Sequence, residues 1–128
     1  GLSVALYGLR SGKNWGCGDL GDLARLTDWA VDRLHVSFIG LNPLHAIRNR
    51  SPFSHSPYLP LSSLYHNFLY LDLESLPDFA ASPGARQLAF SASTRGLLAR
   101  LRASRDVLYE AAAQLKLQVL RLMFQDFR

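Results

Sequence analysis

The sequence predicts an α/β chain that opens with a βαβ unit and continues as a mostly helical remainder. Three observations lead there. Two short apolar runs, 2–7 and 38–41, lie one amphipathic segment apart. A stretch rich in proline, histidine and serine, 42–67, comes after the second run and has no useful period. The stretch 106–127 then carries a wide apolar face at helical spacing.

Each element has a local reason. In Leu2 to Tyr7, Val4 and Leu6 alternate with smaller residues before Gly8, which reads as a buried strand. Ser11 to Gly18 is a glycine-rich turn, and Asp19 can cap a helix. That helix is expected over Leu20–Leu34, with Leu20, Leu23, Leu26, Ala30 and Leu34 on one stripe. Asp22, Arg25, Asp28 and Asp32 are placed on the opposite, solvent side. Phe38 to Leu41 is the second strand, ended by Pro43, and strand–helix–strand spacing implies parallel pairing with a right-handed crossover. Phe68 to Leu73 reads as a brief extended segment, and Pro77 and Pro83 punctuate the residues after it. Helices are expected over Ser93–Ala103 and Asp106–Phe127. So apolar a final helix needs more packing partners than two strands and one helix supply, which marks the chain as a piece of a larger domain.

Composition narrows the class. In 128 residues, 48% are hydrophobic and 19% charged, which opposes global disorder. No run approaches the ~20 apolar residues that span a bilayer, so no membrane association is expected. Nor does a basic segment near Gly1 lead into an apolar one, so no signal peptide is expected. The single cysteine, Cys17, fits a reducing, cytoplasmic setting and cannot build a metal cluster alone. Asn49-Arg50-Ser51 matches the glycosylation tripeptide by chance in that setting. Fourteen Lys and Arg against ten Asp and Glu give a mild net charge of +4. Arg95, Arg100, Arg102 and Arg105 lack interleaved aromatic residues and read as a solvated helix face, so no nucleic acid is expected.

Few residues offer chemistry. Gly16-Cys17-Gly18 with Gly21 matches the dinucleotide fingerprint formally, but Asp19 at the helix start would repel a pyrophosphate. His35, His45, His55 and His66 lack the short spacing of a metal site and read as ordinary polar groups. Asp19 and Asp22 are explained by the helix start, and Asp72 and Glu74 as surface groups beside a strand. No pair of carboxylates at the roughly 5 to 5.5 Å of a retaining glycosidase can be assigned. Tyr58 and Tyr65, in the long loop, could stack on sugar C–H faces or simply pack the loop; residue type leaves both open.

Four segments in order carry a resemblance. They are Leu6-Tyr7-Gly8-Leu9-Arg10-Ser11; Asn14 through Leu23; Asn42-Pro43-Leu44-His45-Ala46 with Ser56-Pro57-Tyr58, Asn67 and Tyr70-Leu71-Asp72; and the terminal helix with Leu115-Lys116, Leu120 through Phe124, and Phe127. Together they resemble the 4-α-glucanotransferases, or amylomaltases, of glycoside hydrolase family 77. Gly8, Cys17, Leu59 and Phe68 depart from residues usual in that family. The resemblance implies the first portion of a (β/α)8 barrel followed by a mostly helical insertion. It divides the chain into a βαβ unit at 1–45, an active-site loop and short strand at 46–73, and the helical insertion at 74–128. A whole barrel takes about 250 residues, so the remainder of the barrel is an implied partner.

The same resemblance implies a retaining double displacement that transfers α-1,4-glucan units between maltooligosaccharides or to glucose, without metal or organic cofactor. The family's catalytic carboxylates lie later in the chain, so none is expected in this segment. The role that carries over is substrate binding: Tyr58 lining the subsite of bond cleavage, Ser56 beside it, and Asn42 at the strand end. The glycine-rich turn is then expected to serve backbone geometry. Three rival functions remain on the sequence: a hydrolase of the α-amylase class, a non-enzymatic glucan-binding or structural fragment, and a dinucleotide-binding module.

Overall fold

The computed structural model describes residues 1–50 and 56–128. The loop histidine His55 and the last residue of the tripeptide, Ser51, lie outside the described residues.

β1 (Leu2–Val4) and β2 (Ile39–Leu41) pair in parallel, Leu2 against Ile39 and Val4 against Leu41. Between them in sequence runs α1 (Leu20–Leu34). The first strand is shorter than the apolar run. After Val4 the chain tightens into a 3-10 turn, Leu6–Gly8, which takes Leu6 out of the sheet and buries it among helical side chains. An apolar residue goes where the larger area is removed from water, and here that is the helical body.

α1 starts at a capping box: the Asp19 carboxylate accepts from the Asp22 N–H at 2.9 Å, and the Asp22 carboxylate accepts from the Asp19 N–H at 3.2 Å. Asp22 is therefore buried, not on the solvent side. The apolar stripe is covered unevenly. Ala30 is buried, but Leu20 and Leu34 are exposed, as are Trp29 and Val31. His35 ends the helix in the left-handed region, φ 51°.

The stretch 42–67 contains a second, antiparallel pair that its sequence hides. β3 (His45–Ala46) pairs with β4 (Ser62–His66), His45 opposite His66. β4 is mostly exposed on both faces, so it lacks the apolar alternation that reveals a strand. Phe68–Leu73 is not extended. It forms 3-10 turns at Phe68–Tyr70 and Leu73–Ser75 that bury Leu69, Tyr70 and Leu73. The Asn67 side chain starts the first of these turns by accepting from the Leu69 N–H at 3.1 Å.

Four helices complete the chain: α2 (Pro77–Ala81), α3 (Pro83–Ala89), α4 (Ala92–Ala103) and α5 (Tyr109–Phe127). Pro77 and Pro83 begin helices rather than only interrupting the chain, since a first-turn residue needs no N–H partner. Ser82 and Ser91 cap α3 and α4 through the N–H groups of Ala85 and Thr94. α5 starts three residues later than its apolar period, with Leu108 at the N-cap in a non-helical conformation. Its buried face, with Ala112, Leu115, Val119 and Met123, meets α2, α3 and the turns around Trp15 and Leu69 in one core. Its other face leaves Leu117, Phe124 and Phe127 exposed.

Candidate functional site

The three residues singled out for substrate binding converge. β2 ends at Leu41, and Asn42 is the next residue. The Asn42 amide Nδ2 donates to the Tyr58 phenol oxygen at 3.2 Å. Tyr58 in turn donates its backbone N–H to the Ser56 hydroxyl at 3.3 Å, and Leu59 donates to the Ser56 carbonyl at 3.2 Å. Pro57, with its fixed φ, sits inside this tight turn. The Tyr58 ring is 66% exposed, so its face is open to a ligand. Because Asn42 supplies a donor, the phenol O–H remains available to donate onward. An exposed aromatic face beside hydroxyl and amide groups suits a sugar ring, which presents apolar C–H faces and hydroxyls together.

The histidines divide. His35 caps α1, while His45 and His66 face one another across β3 and β4. Among the described residues no group of three or more His, Cys, Asp or Glu could hold a metal ion. The buried His45 Nδ1 has no hydrogen-bond partner among the described residues.

The glycine-rich turn is closed on itself. Asn14 is fully buried. It donates to Asp22 Oδ2 at 2.6 Å and to the Leu9 carbonyl at 3.2 Å, and its Oδ1 accepts from the Gly16 N–H at 3.1 Å. Arg25 completes the Asp22 carboxylate with an ion pair of 2.6 Å. Burial pushes the Asp22 carboxyl upward, but hydrogen bonds from Ser11, Asn14, Arg25 and the Asp19 backbone outweigh it and hold it below the ordinary range. Asp19 moves the other way, raised mainly by burial. Gly16 has φ 85°, and a Cβ there would meet the Leu101 Cβ at 2.6 Å. A Cβ on Gly18 would overlap the Leu6 carbonyl. Both glycines are thus occupied by backbone geometry. Two carboxylates close the N-terminus of α1, which is the wrong charge for a pyrophosphate.

Three features escape the sequence. Arg102 is not part of a solvated face: it donates to the carbonyls of Asn14 at 2.7 Å and Lys13 at 3.1 Å, fastening α4 to the turn. Glu74 is not a bystander beside a strand. It accepts from the Trp15 indole at 2.9 Å. Lys116, 1% exposed, sends its ammonium to the carbonyls of Leu69 and Leu71, each at 2.6 Å. Burial lowers its proton affinity, opposed by Asp19, Cys17, Asp72 and Asp22. The same burial raises the Cys17 thiol to about 11, so this cysteine stays protonated. A signal for Lys116 did exist: it occupies the apolar stripe of α5, one turn after Ala112 and before Leu120.

Comparison with known proteins gives the family. The family model described as 4-alpha-glucanotransferase, glycoside hydrolase family 77, matches residues 4–128. The chain belongs to this family. The 4-alpha-glucanotransferase of Haemophilus influenzae is 38% identical over 128 residues, covering 100% of this chain and 18% of that protein. That of Mycobacterium tuberculosis is 40% identical over 89 residues, covering 65% of this chain and 12% of that protein. The fold is similar to the crystal structure of amylomaltase from Corynebacterium glutamicum, with a TM-score of 0.74 and 29% identity over 97% of this chain and 17% of that one. The chain spans less than a fifth of the length of the curated relatives it matches. No helix among the described residues is long and apolar enough to cross a membrane.

Proposed function

We propose that the full-length protein is a cytoplasmic 4-α-glucanotransferase that moves α-1,4-glucan units between maltooligosaccharides or to glucose by retaining double displacement. The observation that carries this is the meeting of Asn42, Ser56 and Tyr58 just past the end of β2. In α/β architectures ligands bind at the carboxyl ends of parallel strands. In this reading 1–45 is the first βαβ unit of a (β/α)8 barrel, 46–73 its active-site loop with a short strand, and 74–128 a helical insertion. Uncovered apolar side chains support it: Val31 and Phe38, which border a cavity with Ile39 and Leu41 of β2, and Trp29 and Leu34 elsewhere on α1, are left exposed for further barrel elements. Tyr58 stacks on the sugar at the subsite of cleavage, Asn42 orients its hydroxyl, and Ser56 holds its turn. The catalytic carboxylates come from later strands.

The test is disproportionation of maltotriose by the full-length protein. A ladder of longer and shorter maltooligosaccharides is expected, with none from residues 1–128 alone. Hydrolysis to shorter sugars without longer ones would overturn the transferase reading in favour of a hydrolase. A product ladder from 1–128 free of contaminating enzyme would show the carboxylates to be misplaced.

A further inference from the structure

The excursion that carries Ser56 and Tyr58 is closed at its base by two asparagines. Asn49 and Asn67 are buried, 3% and 4% exposed. Asn49 Nδ2 donates to Asn67 Oδ1 at 2.9 Å, and Asn67 Nδ2 donates back to Asn49 Oδ1 at 2.7 Å. A buried amide pair of this kind satisfies each partner's carbonyl and one N–H of each NH2 at once, and neither amide can leave without orphaning the other. Asn49 holds the left-handed backbone, φ 55°, that asparagine tolerates better than other side chains with a Cβ. Asn67 is tied in two further directions. Its Oδ1 accepts from the Leu69 N–H at 3.1 Å, and its own N–H donates to the Leu44 carbonyl at 2.8 Å. Leu44 lies two residues beyond Asn42, so one residue links the arm bearing Asn42, the end of the excursion bearing Tyr58, and the buried turn at Phe68–Tyr70.

Among the described residues, Leu59, Leu61, Leu64 and Tyr65 are exposed with Tyr58. Polar contacts tie this part of the chain to its base: the amide pair, the β3–β4 pairing, the Leu61 N–H on the Ala46 carbonyl at 2.8 Å, and the Asn42–Tyr58 bond itself at 3.2 Å.

We propose that Asn49 and Asn67 are positioning residues for glucan binding: their reciprocal amide pair, with the bond from Asn42, sets the place of the Tyr58 phenol against the sugar. This rests on the reading of Tyr58 as a substrate-contacting residue. The two asparagines touch no substrate; they act through the loop.

The experiment uses the full-length protein and maltotriose. It compares the parent, Asn49→Gly, Tyr58→Ala and the double variant, each assayed well below its melting temperature. Glycine accepts the left-handed backbone, so Asn49→Gly removes the amide without adding strain. KM is expected to rise and kcat/KM to fall by roughly ten- to a hundredfold, the scale of a misplacement of about 1 Å. In the Tyr58→Ala background the same substitution should change kcat/KM by less than about twofold, because nothing is left to position. Asn67→Asp is the second variant. It keeps an acceptor for Leu69 and Asn49 but sets a buried carboxylate oxygen against Asn49 Oδ1 where an N–H was donated, which breaks the reciprocal pair, so it should show the same KM effect and the same coupling if Asn49→Gly fails to accumulate. Variants that melt earlier yet keep parental KM and kcat/KM, or that lose the same factor in both backgrounds, overturn the proposal. If Tyr58→Ala itself keeps the parental kcat/KM, the subsite reading fails and the proposal falls with it. An impaired Tyr58→Ala beside kinetically silent asparagine variants defeats the clamp alone.

Discussion

Lys116 and Tyr58 mark opposite treatments of a polar side chain in one small molecule. Around Lys116 the chain is closed: ammonium, capping carboxylates, indole and guanidinium all point inward, and each has a partner. Around Tyr58 the chain is open: a phenol and several large apolar residues face outward, held by a few hydrogen bonds at the base of the excursion. The difference teaches where stability and recognition reside. Burying a polar group costs free energy unless it is satisfied, so the closed region is locked by its own polar contacts. In the function proposed above, recognition uses the reverse, groups left with capacity for a ligand on a loop carried by the rigid part.

The largest expected effect breaks the closed side. Lys116→Met keeps the length of the side chain and removes the donors, leaving the Leu69 and Leu71 carbonyls unpaired. At about 1–3 kcal/mol for each buried unsatisfied group, the full-length protein should lose roughly 2–6 kcal/mol, read from the urea midpoint at unchanged m-value. A loss below about 0.5 kcal/mol, the ordinary scale of a surface substitution, would show that the closed region does not depend on this contact.

A smaller effect sharpens the open side. Tyr58→Phe removes the hydroxyl that accepts from Asn42. It should lower kcat/KM for maltotriose by up to about tenfold, the equivalent of one neutral hydrogen bond of about 0.5–1.5 kcal/mol. The melting temperature should stay put, because the ring is exposed. Tyr58→Ala should cost clearly more activity. Should Tyr58→Ala melt earlier but turn over maltotriose at the parental rate, the tyrosine only packs the loop.

The smallest effect is a pH signature of the closed side. The Asp22 carboxyl in the folded protein lies below its ordinary 3.8. Its contribution to stability is therefore complete above that value and is lost as the pH falls through the lower folded-state value. Asp19, raised by burial, opposes this without sharing the Arg25 ion pair. The difference in melting temperature between parent and Asp22→Asn should be largest near neutrality and shrink on acidification below about pH 4. A difference that does not vary with pH would remove Asp22 as the source.

The sequence by itself determined whatever is written in neighbouring residues. The helical period and the acids at 19 and 22 announce α1, helical spacing announces α4 and the apolar stripe announces α5, and two apolar runs one helix apart announce the parallel pair. Ser56-Pro57-Tyr58 and Asn42 were legible through the family resemblance, since residue type alone left Tyr58 open between stacking on a sugar and packing the loop. Tertiary structure decided the rest, through contacts that no helix or strand period encodes. Leu6 leaves its strand for a core built by later helices, and Asp22 turns inward because Asn14 and Arg25 meet it. The 68–73 segment coils because its carbonyls find Lys116 and its start finds Asn67. The Asn49–Asn67 pair bridges 18 positions. No period or propensity encodes such a meeting, since its free energy exists only once the chain has closed and excluded water from both partners.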